Sequence, residues 1–246
     1  MNAPFTLLQI SDCHLLEDPS GEYRGQNPDQ CLSRLLPAME AFNPDGMVLT
    51  GDVAEDASPD AYRRAIALLD GLAPNRAVIP GNHDDPELLN EMFSAAKFAT
   101  QSVIEWGGWA VALIDSTLPN DPAGALSRDQ QELLVQAQQR GLPTLVFIHH
   151  PPVTVDSPWI DRYALKAPET LIAALDPNRV RAVGFGHVHQ VYSEHLNGIQ
   201  YLSAPATSVN AQPNMAQFTP DPTGPKARWY RLWPNGRWAS GVISAG

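Results

Sequence analysis

Short apolar runs alternate with longer amphipathic stretches over most of the chain. Each short run is rich in aliphatic residues and is followed by a turn, which predicts a buried strand. These runs are Phe5 to Ile10, Met47 to Thr50, Ala77 to Ile79, Leu145 to Ile148 and Val180 to Phe185. The stretches between them space their apolar residues as a helix does. The predicted helices are Asp29 to Phe42, Pro59 to Leu69, one opening at Pro86, Ser127 to Arg140, and one ending near Leu175.

Three pairs of β-rich runs surround glycine-containing turns, and such turns predict β-hairpins. The turns are Gly107-Gly108, Asn197-Gly198 and Asn235-Gly236. The flanking runs lie around Val103 and at Trp109 to Ile114, Val191 to Leu196, Ile199 to Leu202, Ala227 to Trp233, and Trp238 to Ile243. Helices alternating with strands early and hairpins late predict an α/β fold. We expect two mixed sheets packed face to face with helices outside, in a single domain over residues 1–246.

Composition restricts the classes of partner. The chain is 43% apolar and 17% charged, with a formal net charge of −11, which disfavours a nucleic-acid surface because phosphate backbones need a basic stripe. No apolar run approaches the roughly 20 residues of a membrane span. The N-terminus lacks the pattern of a signal peptide, and the two cysteines, Cys13 and Cys31, are too few for a disulfide scaffold. These features predict a cytoplasmic protein with free thiols.

The five buried runs all end in residues that bind metal ions. Ligands of open α/β sheets lie beyond the carboxyl ends of strands, so distant residues there can converge. Six of the seven histidines fall in these endings, and only His195 stands apart. The set offers oxygen and imidazole ligands without thiolate, which favours divalent iron or manganese, with zinc as an alternative. The candidate residues are Asp12, His14, Asp52, Asn82, His83, Asp84, His149, His150, His187 and His189.

A pair of ions would divide these ligands between them. Asp52 is the natural bridge, because a carboxylate can donate one oxygen to each ion. Two divalent ions, two carboxylates and a bridging hydroxide leave a net charge of about +1, which attracts a phosphate anion to an acidic protein. One ion would take Asp12, His14 and His189, and the other would take Asn82, His149 and His187.

The motif series resembles the calcineurin-like metallophosphoesterase superfamily, in order and intact from residue 12 to residue 189. The series comprises Asp12-x-His14, Gly51-Asp52, Gly81-Asn82-His83-Asp84, His149 and Gly186-His187-x-His189. Within that superfamily the chain is similar to class III cyclic nucleotide phosphodiesterases. The supporting features are Thr50-Gly51-Asp52 with Asp56 and Tyr62, the run His149-His150-Pro151-Pro152, and the lack of a large inserted cap.

This resemblance implies a four-layer α/β/β/α sandwich, the metallo-dependent phosphatase fold, and the ligand assignment above. It implies hydrolysis of a 3′,5′-cyclic nucleotide, cyclic AMP foremost, to a 5′-monophosphate by a hydroxide that bridges the metals. His83 would be the histidine outside the ligand set that protonates the leaving oxygen, and Asp84 would orient it. A small phosphodiester is therefore the expected partner, and a homodimer formed through the hairpins is left open.

Several alternatives remain at this stage. Asp84 could cap the helix at Pro86 instead of orienting His83, and His150 could support the ligands or bond a carbonyl group. Trp159 and Tyr163 could stack on a base or pack internally. The long loops at 115–126 and 204–225 are expected to rim the site. The functional alternatives are a hydrolase of glycerophosphodiesters or other small phosphate esters, and a scaffold without catalysis.

Overall fold

The computed structural model describes residues 3–245, which form twelve strands and six helices. In chain order these are β1 (Phe5–Ile10), α1 (Pro28–Glu40), β2 (Gly46–Thr50), α2 (Pro59–Leu69), β3 (Asn75–Ile79), α3 (Pro86–Ala95), β4 (Ala99–Thr100), β5 (Val103–Trp106), β6 (Trp109–Ile114), α4 (Arg128–Gln139), β7 (Thr144–Ile148), α5 (Pro158–Asp161), α6 (Pro168–Ala174), β8 (Val180–Phe185), β9 (Ser193–Leu196), β10 (Ile199–Ser203), β11 (Lys226–Leu232) and β12 (Trp238–Ser244).

The strands form two mixed sheets of six strands each, as predicted. The first has the order β12-β11-β1-β2-β3-β4, in which β1 to β4 are parallel and the β11–β12 hairpin is antiparallel. The second has the order β5-β6-β7-β8-β10-β9, with antiparallel strands at both edges of a parallel centre. All three predicted hairpins are present.

Three apolar clusters separate the layers of the α/β/β/α sandwich. The central cluster joins the facing sides of the two sheets, with Leu7 and Val48 from the first and Trp109 and Phe147 from the second. A second cluster packs α1, α2 and α3 on the first sheet, and a third packs α4 and α6 on the other. The parallel central strands are buried on both faces, which explains their continuous apolar runs.

A buried glutamine ties the two sheets together beneath the candidate site. Gln9 on β1 donates from Nε2 to the carbonyl oxygen of Phe185 on β8 and to Thr50 on β2, both at 3.1 Å. Its Oε1 accepts a hydrogen bond of 2.7 Å from the hydroxyl of Tyr230. The ends of β1, β2 and β8 are therefore held in register where their ligand-bearing loops begin.

Most element boundaries agree with the predicted ones to within two residues, and the differences lie at edges. The predicted strand from Val191 begins at Ser193, and two short elements, β4 and α5, were not expected. Ser127 caps α4, accepting a hydrogen bond from Gln130 N. Within residues 3–245, every helix falls short of the length and hydropathy needed to cross a bilayer.

Candidate metal centre

One half of the candidate centre consists of Asp12, His14 and His189, whose ligand atoms all lie within 4.8 Å of one another. The two Nε2 atoms of His14 and His189 are 3.0 Å apart, and His189 Nε2 lies 3.3 Å from Asp12 Oδ1. All three side chains are buried. The end of β1 and the end of β8 therefore meet, although their residues are 175 positions apart.

The other half is built around His149 and His187, which group with His150 within 4.8 Å, and Asn82 lines the same cleft as His187. His187 Nδ1 lies 3.2 Å from His149 Nε2, which in turn is 3.4 Å from Asp52 Oδ2. The same Asp52 oxygen lies 3.7 Å from His14 Nε2 in the first half. Asp52 thus stands between the two halves, and buried Asn82 Oδ1 accepts no hydrogen bond from residues 3–245.

Hydrogen bonds on the outer side set the orientation of three imidazoles. The Nδ1 atoms of His14, His149 and His189 face oxygens that can only accept: Glu55 carboxylate at 2.6 Å, Thr50 carbonyl at 2.7 Å and Val209 carbonyl at 2.8 Å. Each Nδ1 therefore carries a proton, and Nε2 is the ring nitrogen that points inward and can donate a lone pair to a metal ion.

Inward lone pairs packed this closely fit a bound cation. Two neutral imidazole nitrogens 3.0 Å apart, as in His14 and His189, repel unless a positive charge lies beside them. Metal-binding histidines also donate their other ring N–H to a carboxylate or carbonyl, as these three do. The donor set is nitrogen and oxygen only, which fits iron, manganese or zinc in the divalent state. The residues present therefore fit the metal pair that the motifs predict.

The two buried carboxylates remain ionised because of the histidines around them. Burial would raise the pKa of Asp52, but the adjacent His149 holds it well below the usual range. Burial likewise opposes ionisation of Asp12, whose pKa is lowered by His189 and His149. Conversely, burial would lower the pKa of His149, yet Asp52 and Asp12 raise it to about 9. Charge pairing therefore outweighs desolvation at Asp12, Asp52 and His149.

His187 lies at the opposite extreme from His149. Burial, together with the positive charge of nearby histidines, holds the pKa of His187 well below its usual value. Its Nε2 atom is buried and makes no hydrogen bond with residues 3–245, whereas its Nδ1 faces His149. A neutral ring with an inward lone pair is the form that binds metal.

Strained backbone places these side chains. Asp12, His14, Asp52, His187 and His189 all have positive φ angles, between 48° and 69°. For residues with a side chain this left-handed conformation costs on the order of 1 kcal/mol each, and it persists where the surrounding structure enforces it. Here backbone hydrogen bonds enforce it, since Asp12 N donates to Gly51 O and His187 N donates to the carboxylate of Asp12.

Gly81 permits the loops after β2 and β3 to touch. A Cβ atom at this position would collide with Oδ1 and N of Asp52 and would lie 2.8 Å from Cε1 of His149. Only glycine allows Asp52 and His149 to approach the β3 loop in this way. The next residues of that loop are Asn82 and His83, so the close approach also sets where these side chains stand.

His83 lies beside the cluster with its side chain 36% exposed. Its Nδ1 donates to the carbonyl oxygen of Glu55 at 2.9 Å and lies 3.3 Å from the Glu55 carboxylate. Burial would lower the pKa of His83, but the charges of Asp52 and Glu55 raise it. His83 therefore carries a proton more readily than an isolated histidine.

The structure corrects the expected role of Asp84, which neither orients His83 nor caps α3. Its buried carboxylate instead accepts hydrogen bonds from the backbone N–H groups of Val53, Ala54 and Gly81, and from the hydroxyl of Tyr62. The next residue, Asp85, caps α3. Asp84 thus joins the loop after β2 to the loop after β3, and burial beside Asp52 raises its pKa to about 6.

Glu55 is the residue that sequence reasoning missed. Its carboxylate accepts from His14 Nδ1 and lies near His83, so it contacts both a candidate ligand and the candidate proton donor. Burial would raise the pKa of Glu55, but the hydrogen bond from His14 lowers it. The signal in the sequence is only its position, three residues after Asp52.

The remaining alternatives are resolved by contacts. His150 bonds a carbonyl group: its Nε2 donates to Pro122 O at 3.2 Å, and its Nδ1 accepts from the Ser116 hydroxyl at 2.8 Å. Cys13 is a buried core residue and accepts a hydrogen bond from Thr207. Asp56 and His195 are exposed.

A cleft of about 590 Å³ opens beside the second half of the cluster. Asn82, His83 and His187 line its inner end. The two loops expected to rim the site contribute Pro122 and the segment 216–218. Trp159 and Tyr163 also line it, although Trp159 is 8% exposed and packs edge-on against Phe218 at 5.1 Å.

Comparison with known proteins agrees with this geometry. The model of the "Calcineurin-like phosphoesterase" family matches residues 5–191. A Pseudomonas aeruginosa protein named 3′,5′-cyclic adenosine monophosphate phosphodiesterase CpdA is 32% identical over 98% of this chain and 90% of its own length. A probable cyclic nucleotide phosphodiesterase from a Synechococcus species is 33% identical over 96% of this chain and 91% of its own length.

Solved structures agree on the fold. A dimetal phosphatase from Danio rerio superposes with a TM-score of 0.74 at 15% identity, covering 100% of this chain and 98% of that one. A purple acid phosphatase from yellow lupin superposes with a TM-score of 0.62 at 12% identity, covering 99% of this chain and 54% of that one. On the family model and the identity to its relatives, the chain belongs to the calcineurin-like phosphoesterase family.

Proposed function

We propose that this chain is a metal-dependent phosphodiesterase that hydrolyses 3′,5′-cyclic nucleotides, cyclic AMP foremost, to 5′-monophosphates. The observation that carries the proposal is the position of Asp52, which lies between two clusters of inward-facing imidazoles at the inner end of a cleft. The names of relatives matched over nearly the whole chain support the choice of substrate.

The proposed ligands are the residues expected from the motifs. Asp52 is shared, and two divalent ions, iron or manganese with zinc as the alternative, complete the centre. When bound, such ions would neutralise phosphoryl oxygens and lower the pKa of a water molecule so that it attacks near neutral pH. Asp12, His14 and His189 would hold one ion, and His149, His187 and the unpartnered Oδ1 of Asn82 would hold the other.

His83 is proposed as the proton donor to the leaving oxygen. Its Nδ1 is held by the carbonyl oxygen of Glu55, which leaves Nε2 as the atom that can deliver a proton. It lines the cleft next to Asn82, and its raised pKa favours the protonated form that a proton donor needs. General acid catalysis of this kind contributes about 10²- to 10⁴-fold.

Asp84 is proposed as a positioning residue, in place of the catalytic role expected from sequence. Asp84 accepts three backbone hydrogen bonds from the two loops that carry Asp52 and Asn82, and a fourth from the hydroxyl of Tyr62 on α2. Holding those loops together sets the separation of the two residues, and small errors in such a separation are costly in catalysis.

A substrate panel tests the proposal. Purified protein supplied with Mn²⁺ should hydrolyse cyclic AMP, and the panel should include cyclic GMP, 2′,3′-cyclic nucleotides, glycerophosphodiesters and a phosphomonoester. Turnover of glycerophosphodiesters with no turnover of cyclic nucleotides would favour the alternative hydrolase. The absence of turnover and of stoichiometric metal would favour a scaffold. The homodimer and the single-domain arrangement stay predictions, which light scattering and limited proteolysis would test.

A further inference from the structure

An arginine in the cleft is held by aromatic rings instead of a carboxylate. The Arg24 Cζ atom lies 3.8 Å from the ring centroid of Phe218 and 5.9 Å from that of Trp159. Its Nε donates a 2.9 Å hydrogen bond to the hydroxyl of Tyr23. Among residues 3–245, the ion pairs do not include Arg24, although the chain carries 27 acidic residues.

The end of this side chain is free to bind something else. The Nη1 and Nη2 groups donate no hydrogen bond to any described residue, so only the Nε position is used. The backbone of Arg24 has a φ of 52°, a conformation that side chains avoid, so the loop is strained at the point where it presents the guanidinium group. A planar group, fixed in orientation with unused N–H donors, suits the recognition of paired acceptors.

The rings that hold Arg24 also contact the candidate metal ligands. Tyr23 stacks on His14 with centroids 4.2 Å apart and planes 8° apart. Phe218 meets His189 edge-on, with centroids 6.5 Å apart. The guanidinium group is therefore connected to the candidate metal ligands through the rings of Tyr23 and Phe218.

The wall of the cleft around Arg24 is aromatic and cationic. Trp159, Tyr163 and Phe218 line it with Arg24 and Arg162, and its lining contains no carboxylate. Arg162 is likewise stacked, with Cζ 4.8 Å from the centroid of Tyr163. Nucleobases stack on aromatic and guanidinium planes and present acceptor nitrogens and oxygens at their edges. A small aliphatic alcohol has neither a stacking face nor such an edge.

We propose that this wall is the nucleobase subsite and that Arg24 is its specificity-determining residue. Its Nη groups donate to an acceptor atom on the edge of the base, such as a ring nitrogen of adenine, while Phe218 holds the plane of the guanidinium. This inference rests on the proposed function, which places the phosphoryl group at the other end of the cleft, beside Asn82 and His83. Arg24 hydrogen-bonds neither of those residues.

Product binding tests the subsite without turnover. We would titrate the Mn²⁺-loaded full chain with AMP, ribose 5-phosphate and inorganic phosphate by calorimetry. The wild type should bind AMP about tenfold more tightly than ribose 5-phosphate, because only AMP carries a base. Arg24→Ala should weaken AMP binding about tenfold and ribose 5-phosphate binding less than twofold. The affinity of Arg24→Lys for AMP should lie between those of the wild type and Arg24→Ala, because lysine keeps the charge but loses the planar fork.

Controls separate this inference from its alternatives. Arg34→Ala removes an exposed arginine on α1 and should leave all three affinities unchanged. Equal weakening of AMP and ribose 5-phosphate in Arg24→Ala would assign Arg24 to the phosphate and overturn the proposal. Unchanged AMP binding, or a wild type that binds the two ligands equally, would overturn it as well. Failure to hydrolyse cyclic AMP would reject the proposed function, while the AMP titration would still decide the subsite.

Discussion

Glu55→Gln is the substitution that most sharply probes how the protein supports its metal ligands. Glu55 accepts a 2.6 Å hydrogen bond from His14 Nδ1, and its lowered pKa keeps it ionised. Glutamine has nearly the same shape and can turn its carbonyl oxygen toward the same N–H. The substitution therefore removes charge from the contact while preserving a neutral hydrogen bond.

The expected loss follows from the strength of the two contacts. A hydrogen bond to a charged group contributes about 1.5–3 kcal/mol and a neutral one about 0.5–1.5 kcal/mol. The difference, on the order of 1.4 kcal/mol, corresponds to about tenfold in affinity. Because the candidate ligand bonded to the Glu55 carboxylate is His14, the ion held by His14 should be weakened, while the ion held by His149 should be affected little.

The same substitution should change the pH dependence of turnover. The Glu55 charge helps to raise the pKa of His83, so its removal should lower that pKa. A general acid must be protonated, so activity is lost as pH rises through its pKa. The alkaline limb of the rate profile, measured at saturating Mn²⁺, should therefore move to lower pH in Glu55→Gln.

Chelator competition on the metal-free protein measures the first effect, and kcat against pH measures the second. Glu91→Gln is the matched control, since Glu91 is exposed on α3. It should change neither quantity. Metal affinities within twofold of the wild type, together with an unmoved alkaline limb, would refute the reasoning about Glu55.

Three further predictions concern other parts of the centre. Gly81→Ala should lower metal affinity more than tenfold, because the added Cβ collides with Asp52. Gly71→Ala is the control: its Cβ meets nothing within 4 Å, so it should cost only about 1 kcal/mol of stability from its positive φ. His83→Ala should keep both metals by elemental analysis but lose about 10²- to 10⁴-fold in kcat, and preserved turnover would remove its proposed role. Burial and the adjacent His149 lower the pKa of His150 to about 3 in the folded protein. The neutral ring therefore adds to the stability of the fold above the pKa that His150 has in the unfolded chain, and this contribution is lost as pH falls. Between pH 6.5 and pH 5 that loss is about 2 kcal/mol for one histidine. The free energy of unfolding, measured with urea in excess chelator, should therefore depend less on pH in His150→Asn than in the wild type. An equal pH dependence in the two proteins would contradict the buried neutral form.

The strands that carry the site could be predicted because burial and chemistry are both local signals. β1, β2, β3, β7 and β8 are apolar on both faces, and each is followed directly by its polar residues. Parallel pairing brings the ends of β1, β2 and β3 together in one sheet and those of β7 and β8 together in the other. The two-residue β4 and the four-residue α5 lack enough residues for a period, so no pattern could indicate them.

Contacts between loops could not be predicted, because sequence spacing does not specify the direction of a side chain after a turn. Asp84 follows His83 directly, yet it turns to the backbone of Val53 and Ala54. Glu55 reaches His83 across 28 positions. Arg24 lies in a polar loop, and its partner Phe218 comes from another loop far along the chain. These contacts depend on how the loops fold over the strand ends, which no local pattern records.

The most direct test of the central claim is the binding of Mn²⁺ to the metal-free protein, followed by electron paramagnetic resonance. If Asp52 joins two sites, the titration should reach two ions per chain, and the spectrum should show two Mn²⁺ ions coupled to each other. In Asp52→Ala, binding of at least one ion and the coupling should both be lost. Binding of a single ion, or of two ions with independent spectra, would contradict a shared carboxylate between the clusters of Asp12, His14 and His189 and of Asn82, His149 and His187.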